Sequence, residues 1–221
     1  MTDTTPLRKT SQVARERWQQ PHPSFSSGRD PRSSENAMLV LFYGSLEKAA
    51  RYGWLNAGRT LVDKTYLRIL WTARALPGNG LSFDEMAARL DSFIRAELQP
   101  QWVQLAQPGA TERDIRAIEL VETARLQLFG PASDADAASE VLFFLCPQLP
   151  VFPCRGIGAG RYAGFHQGCL QQLRALKDQD ECPTAGYGQP RERELIDTLL
   201  AQSDWWPRRL LVEELRPTFT S

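Results

Sequence analysis

The sequence predicts an all-α fold: a compact multi-helix single domain of about seven or eight helices over residues 37–221, after a disordered N-terminal tail over residues 1–36. Apolar residues recur at three- and four-residue steps through most of the chain past residue 36, the spacing that keeps them on one side of a helix. Proline and glycine break that spacing at a few sharp points, PGNG at 77–80, PGA at 108–110 and Gly130-Pro131, with intervals of helical length between them. No hairpin dipeptide is flanked by alternating strands, and no internal repeat is visible. With 221 residues, 42% of them hydrophobic and 24% charged, the chain has material for one well-filled core.

Residues 1–36 are rich in Ser, Pro and Arg, and PHPSFSSGRDPRSS has no hydrophobic period. SQVARERW within them can form a short helix, and Trp18 and Phe25 are the anchors this tail would offer a protein partner. Leu39, Phe42, Leu46, Ala50 and Trp54 then share one helical stripe, and Val62, Tyr66, Ile69, Ala73 and Leu76 a second. AMLVLFYG at 37–44 also fits a buried strand, because a short apolar run does not separate the two by period alone.

Past PGNG, Ser82 and Glu85 make an S-x-x-E capping box that opens a helix carrying Phe83, Met86, Leu90, Phe93 and Leu98. Past PGA, Thr111-x-x-Asp114 opens the next, with Ile115, Ile118, Val121 and Leu128 turned inward and a stop at Gly130-Pro131. Further helices fall at about 134–145, 158–177, 190–201 and 204–215. The last admits Pro207 in its first turn, where the missing N–H costs little. Val141, Leu142, Phe143, Phe144 and Leu145 are candidate core, and Tyr162, Phe165, Leu170, Leu173 and Leu176 form an inward stripe on the helix after them.

The charges balance at 26 basic and 26 acidic residues, so no global field draws the chain to nucleic acid or to an anionic membrane. Any such contact is local. Residues 44–76 hold Lys48, Arg51, Arg59, Lys64, Arg68 and Arg74 against Glu47 and Asp63. No run approaches the roughly 18–20 apolar residues of a membrane span, and MTDTTPLRKTSQ lacks the apolar region of a signal peptide. A cytoplasmic protein with no membrane partner is expected.

Cys146, Cys154, Cys169 and Cys182 are spaced C-x7-C-x14-C-x12-C, which is neither a metal-type pair nor a secreted disulfide framework, so reduced thiols are expected. His166 near Cys169 is the nearest approach to a zinc set, but closely paired ligands are missing, and no metal or cofactor is expected. GIGAGRY at 156–162 invites a phosphate cradle, yet there is no G-x-x-x-x-G-K-[ST], and Ala163 stands where the third glycine of G-x-G-x-x-G would fall. His22 lies in the tail and His166 has no evident serine or cysteine partner, while Glu213-Glu214 and Asp178 with Asp180 read as polar faces. The residues therefore lean away from an enzyme.

The stretch SEVLFFLCPQLPVFPCRGIGAGRYAGF, with the turns on either side, resembles the helix–hairpin–helix DNA glycosylases over about residues 111–216. In one register Gly156-Ile157-Gly158 is the hairpin, Asp178 falls near the place of the family's catalytic aspartate, and Gly160 occupies that of the lysine. In the other register Phe129-Gly130-Pro131-Ala132 is the hairpin, and Ser139, Leu142, Phe144, Pro147, Pro150, Val151 and Phe152 follow the family's helix and loop. There Glu140 replaces the lysine nucleophile and Pro153 the aspartate. A carboxylate cannot form a Schiff base, and proline cannot orient water. The resemblance implies a glycosylase-like architecture without its catalytic pair, whose hairpin amides would position a DNA phosphate.

The function expected is that of a non-catalytic accessory protein binding DNA or a protein–DNA complex, a role that suits a bacterial mobile element or a phage-defence system. Its phosphate contacts would be Arg51, Lys64, Arg68, Arg155, Gly156, Gly158, Arg161, Arg208 and Arg209. A second reading is a subunit of a multiprotein complex that touches no nucleic acid and docks through Trp18, Phe25, Trp205 and Trp206. A third is an active glycosylase using Asp178.

Overall fold

The computed structural model describes residues 64–178 apart from 75–79, 103, 106 and 159, together with 207, 208, 211 and 212. The described residues are helical and include no strand. Five helices stand among them: α1 (Lys64–Arg74), α2 (Phe83–Phe93), α3 (Ala110–Ala124), α4 (Asp136–Leu145) and α5 (Tyr162–Asp178). The helices expected over 39–54 and 190–201 lie outside the described residues. Of the one expected over 204–215, Pro207, Arg208, Leu211 and Val212 are described, and they are helical.

The capping box forms as expected. Ser82 Oγ accepts the Glu85 N–H, and the Glu85 carboxylate accepts the Ser82 N–H at 2.8 Å, so two of the helix's orphan donors are satisfied. Helix α2 buries Met86, Ala87, Leu90 and Phe93, then widens over Ile94–Leu98 into i→i+5 bonding before a short 3-10 turn at Gln99–Gln101. Widening of this kind re-aims a helix end while keeping its backbone bonded.

Two expectations about α3 are corrected. It starts at Ala110 with Gly109 as its cap, without the Thr111 side chain. Its buried line is Ala117, Leu120, Val121, Ala124 and Leu128, while Ile115 is 53% exposed. At 100° per residue Ile115 points about 160° from the middle of that line. Ala117 and Ala124 are fully buried on the helix that packs against α4, and small residues let packed helices approach closely.

Helix α4 is buried on every side from Ala137 to Leu145. The apolar run Val141–Leu145 demands burial on all sides, and Ser139 and Glu140 are carried into the core with it. Helix α3 packs beside it and α5 packs on α3, with α1 against α2. Helix α5 begins at Tyr162, later than the expected 158, because Gly156 and Gly160 turn the chain through left-handed φ values of 69° and 78° first. Tyr162, Phe165 and Leu173 are buried as expected, with Leu170 and Leu176 packed at the margin of the core.

Between α4 and α5 the chain runs through the core without regular structure, CPQLPVFPC at 146–154. Buried backbone outside helix and sheet must find partners elsewhere. Prolines at 147, 150 and 153 remove three donors outright. Two tight backbone bonds, Leu149 N–H to the Cys146 carbonyl and Val151 N–H to the Leu149 carbonyl, serve part of the segment, and side chains serve more: Arg208 donates to the carbonyls of Pro147, Leu149 and Val151, at 2.7, 2.5 and 2.7 Å. His166 Nε2 meets the Pro150 carbonyl at 2.8 Å, the Tyr162 hydroxyl accepts from Phe152 N–H and donates to its carbonyl, and Ser139 Oγ accepts the Cys154 N–H at 3.0 Å. Arg208 thus holds the carbonyls of residues 147, 149 and 151, and α5 those of 150 and 152.

Candidate nucleic-acid interface

From Cys154 the chain leaves the core, and Arg155–Gly158 with Gly160 and Arg161 form a surface turn. Ile157 is buried and plugs it inward, while Gly156, Gly160 and Arg161 are exposed and Arg155 is half-exposed. Asp136, in the first turn of α4, fixes its start: one carboxylate oxygen accepts the Gly156 N–H at 2.7 Å and the other the Ile157 N–H at 3.4 Å. The Cys154 thiol lies 3.7 Å from the same carboxylate and 3.3 Å from Ser139 Oγ. Burial pushes the Asp136 carboxyl above the usual carboxylate range, and the two backbone N–H bonds pull it partly back.

At the far end of the loop, Arg161 N–H donates to the Gly158 carbonyl at 3.1 Å, and the Arg161 carbonyl opens α5 by accepting Phe165 N–H at 3.1 Å. No acidic residue occupies the first turn of α5. The positive end of the helix dipole and two arginines therefore border one exposed, side-chain-poor surface.

Two of the expected phosphate contacts are corrected. Arg208 is 1% exposed, and its guanidinium is committed to the three buried carbonyls and to the face of the Phe143 ring at 5.7 Å. The Gly156 amide points inward to Asp136 instead of outward. Gly158 is half-exposed and its carbonyl is engaged by Arg161. Lys64 and Arg68 are exposed on α1, where Lys64 faces Asp84 at 3.7 Å and Arg68 lies over the Phe83 ring at 5.9 Å. Acidic Asp84 and Glu85 beside them weaken any cationic field there. Arg51, Arg209, Trp18, Phe25, Trp205 and Trp206 lie outside the described residues.

The two hairpin registers differ in local geometry. Helices flank the Gly130 turn on both sides, with Gly130 at φ 92°. Arg125 holds that turn from inside: it pairs with Glu122 at 2.6 and 2.9 Å and donates to the carbonyls of Pro131 and Ser133 at 2.9 and 3.0 Å. Gly156, by contrast, follows the extended segment, not a helix. Glu140 is 1% exposed on the central helix, Pro153 is buried, and Asp178 is exposed at the end of α5.

The described thiols and His166 are buried. Cys146, Cys154 and Cys169 are buried free thiols, and burial raises all three, Cys169 to about 12. Burial and the cations Arg208 and Arg174 lower His166 to about 4, so its ring is neutral at physiological pH. No group of three or more His, Cys, Asp or Glu among the described residues could hold a metal ion. No described helix is long and apolar enough to cross a membrane.

Sequence reasoning missed Asp136 and Arg125 as organisers of the two turns. An acidic residue at the start of α4 was a visible signal for Asp136. Arg125 left none, because an arginine near a helix end ordinarily faces solvent. Comparison of the chain with protein-family models, with curated proteins and with solved structures returns no match.

Proposed function

We propose that this chain is a non-catalytic α-helical accessory protein that binds DNA, or a protein–DNA complex, through the phosphate backbone. One observation carries the reading: a glycine-rich loop with half-exposed Arg155 and exposed Arg161 at its two ends, leading into a 17-residue helix without an acidic first turn. Such a surface meets phosphate with cations and with backbone, and it reads no bases. The burial of the thiols and of His166 agrees with a binding role in place of a chemical one.

The test is duplex binding at two salt concentrations by the full chain and by an Arg155→Glu, Arg161→Glu double variant. Affinity should fall steeply with salt, and the variant should weaken binding to all sequences alike. Undetectable or salt-insensitive binding overturns the reading.

A second reading, a protein-interaction subunit, is favoured by the outer face of α3 and its extension. Ile115 and Leu126 are 53% and 45% exposed there, on the same side as Glu112 and Glu119. A partner fitting that face would carry an apolar helical stripe bordered by basic residues. Copurification of a stoichiometric partner that Ile115→Asp abolishes supports this reading over the first.

A further inference from the structure

Arg208 and His166 grip one buried segment at neighbouring carbonyls, the first at Pro147, Leu149 and Val151 and the second at Pro150. Both side chains are essentially inaccessible, at 1% and 0% exposure. The His166 ring stands edge-on to Phe152 at 5.3 Å and beside Tyr162 at 6.0 Å. Its Nε2 is committed to the Pro150 carbonyl, and its buried Nδ1 has no hydrogen-bond partner. Neutral imidazole with the proton on Nε2 fits that arrangement, whereas imidazolium would bring a second N–H with nothing to accept it.

The charged neighbours make the second proton costlier still. Arg208 from the C-terminal segment and Arg174 from α5 both act on the ring as cations, and Arg174 is itself paired to Asp114 of α3 at 3.0 Å. Tyr162 and Cys169 on α5 hold neutral, upward-shifted groups, and the Tyr162 hydroxyl is bonded to Phe152. From α4 the nearby acid is Glu140, whose field acts on Cys154.

We propose that Arg208 and His166 form a proton-gated latch. Protonation of His166 at Nδ1 sets a second cation against Arg208, and the segment bearing Pro207, Arg208, Leu211 and Val212 then leaves the Pro147–Val151 carbonyls. The latch moves because His166 is fixed inside a 17-residue helix between buried Phe165 and Cys169. Once released, the guanidinium and the three carbonyls regain water, so opening relieves the crowded charge. The device is independent of the phosphate-binding reading.

Hydrogen exchange on the full chain, corrected for intrinsic rates, compares protection at pH ~7 and pH ~4. Peptides covering Arg208 and Leu149–Phe152 should lose protection on the order of 100-fold, while Val141–Leu145 of α4 remains the better protected at both pH values. His166→Gln keeps a donor for the Pro150 carbonyl and cannot take up the proton, so its exchange should show no such step. Unchanged protection in the natural chain, an equal loss in the variant, or protection in α4 that falls to the level of these peptides overturns the latch. Should the variant fail to fold, the natural chain still decides. The fall in protection must begin near pH 6.5 and level off at the folded His166 titration read from the ring protons by NMR, and a fall confined to another pH window overturns the proposal.

Discussion

The carboxylate of Asp136 accepts the backbone N–H of Gly156 at 2.7 Å across a separation of 20 residues, closing the buried proline segment into a loop whose far end starts α5. This bond orders the surface that carries Arg155 and Arg161. It also accounts for a glycine at 156, where φ is 69° and the amide must turn toward the carboxylate.

Asp136→Ala removes the acceptor of two backbone N–H groups and of a thiol. The expected cost is roughly 1–3 kcal/mol, the range for losing charged hydrogen bonds in a half-buried site. Urea unfolding measures it. Exchange of the Gly156 and Ile157 amides should quicken in parallel, and a variant as stable as the natural chain would contradict the role.

Arg208→Met should cost about 3–5 kcal/mol, because the carbonyls of Pro147, Leu149 and Val151 lose the guanidinium, Leu149 keeping only the Val151 N–H, while the apolar stem is kept. Arg208→Lys should recover only part of this. One ammonium is a point donor and cannot span the carbonyls of Pro147, Leu149 and Val151 as a planar fork does. Denaturation midpoints for the two variants check the order.

Acid should destabilise the fold through His166. Its folded value of about 4 lies below the ordinary 6.5, so between those values the unfolded chain binds more protons. Stability from this group is full above pH 6.5, falls as pH drops toward 4 and levels beneath it, a change of about 3 kcal/mol at most. Urea unfolding across that window should show the slope, and His166→Gln should flatten it.

Two glycines two residues apart, Gly158 and Gly160, separate backbone need from space. A Cβ at Gly160 or at Gly158 would meet nothing within 4 Å, but Gly160 sits at φ 78° and Gly158 does not lie in the left-handed region. Gly160→Ala should therefore lose about 1–2 kcal/mol, while Gly158→Ala should be neutral or gain up to about 1 kcal/mol. Thermal unfolding distinguishes the pair.

Much of the helical organisation was legible in local sequence. The Ser82–Glu85 box, the break at Gly130-Pro131, the apolar run of α4 and the stripe Tyr162, Phe165, Leu173 are short-range signals. Capping and periodicity act within a turn or two of the residues that carry them. The same signals placed Ile115 inward, and they failed there because Ala117 and Ala124 win only once α4 lies against α3.

What the sequence by itself determined is where helices begin, stop and turn an apolar face, together with the loss of three backbone donors at Pro147, Pro150 and Pro153. The tertiary structure alone decided what the polar side chains do. Arg208 sits next to tryptophans in sequence like any surface cation, yet it is 57–61 residues from the carbonyls that bury it. A buried irregular segment must borrow hydrogen bonds from distant elements, and which element arrives depends on packing that no local spacing records.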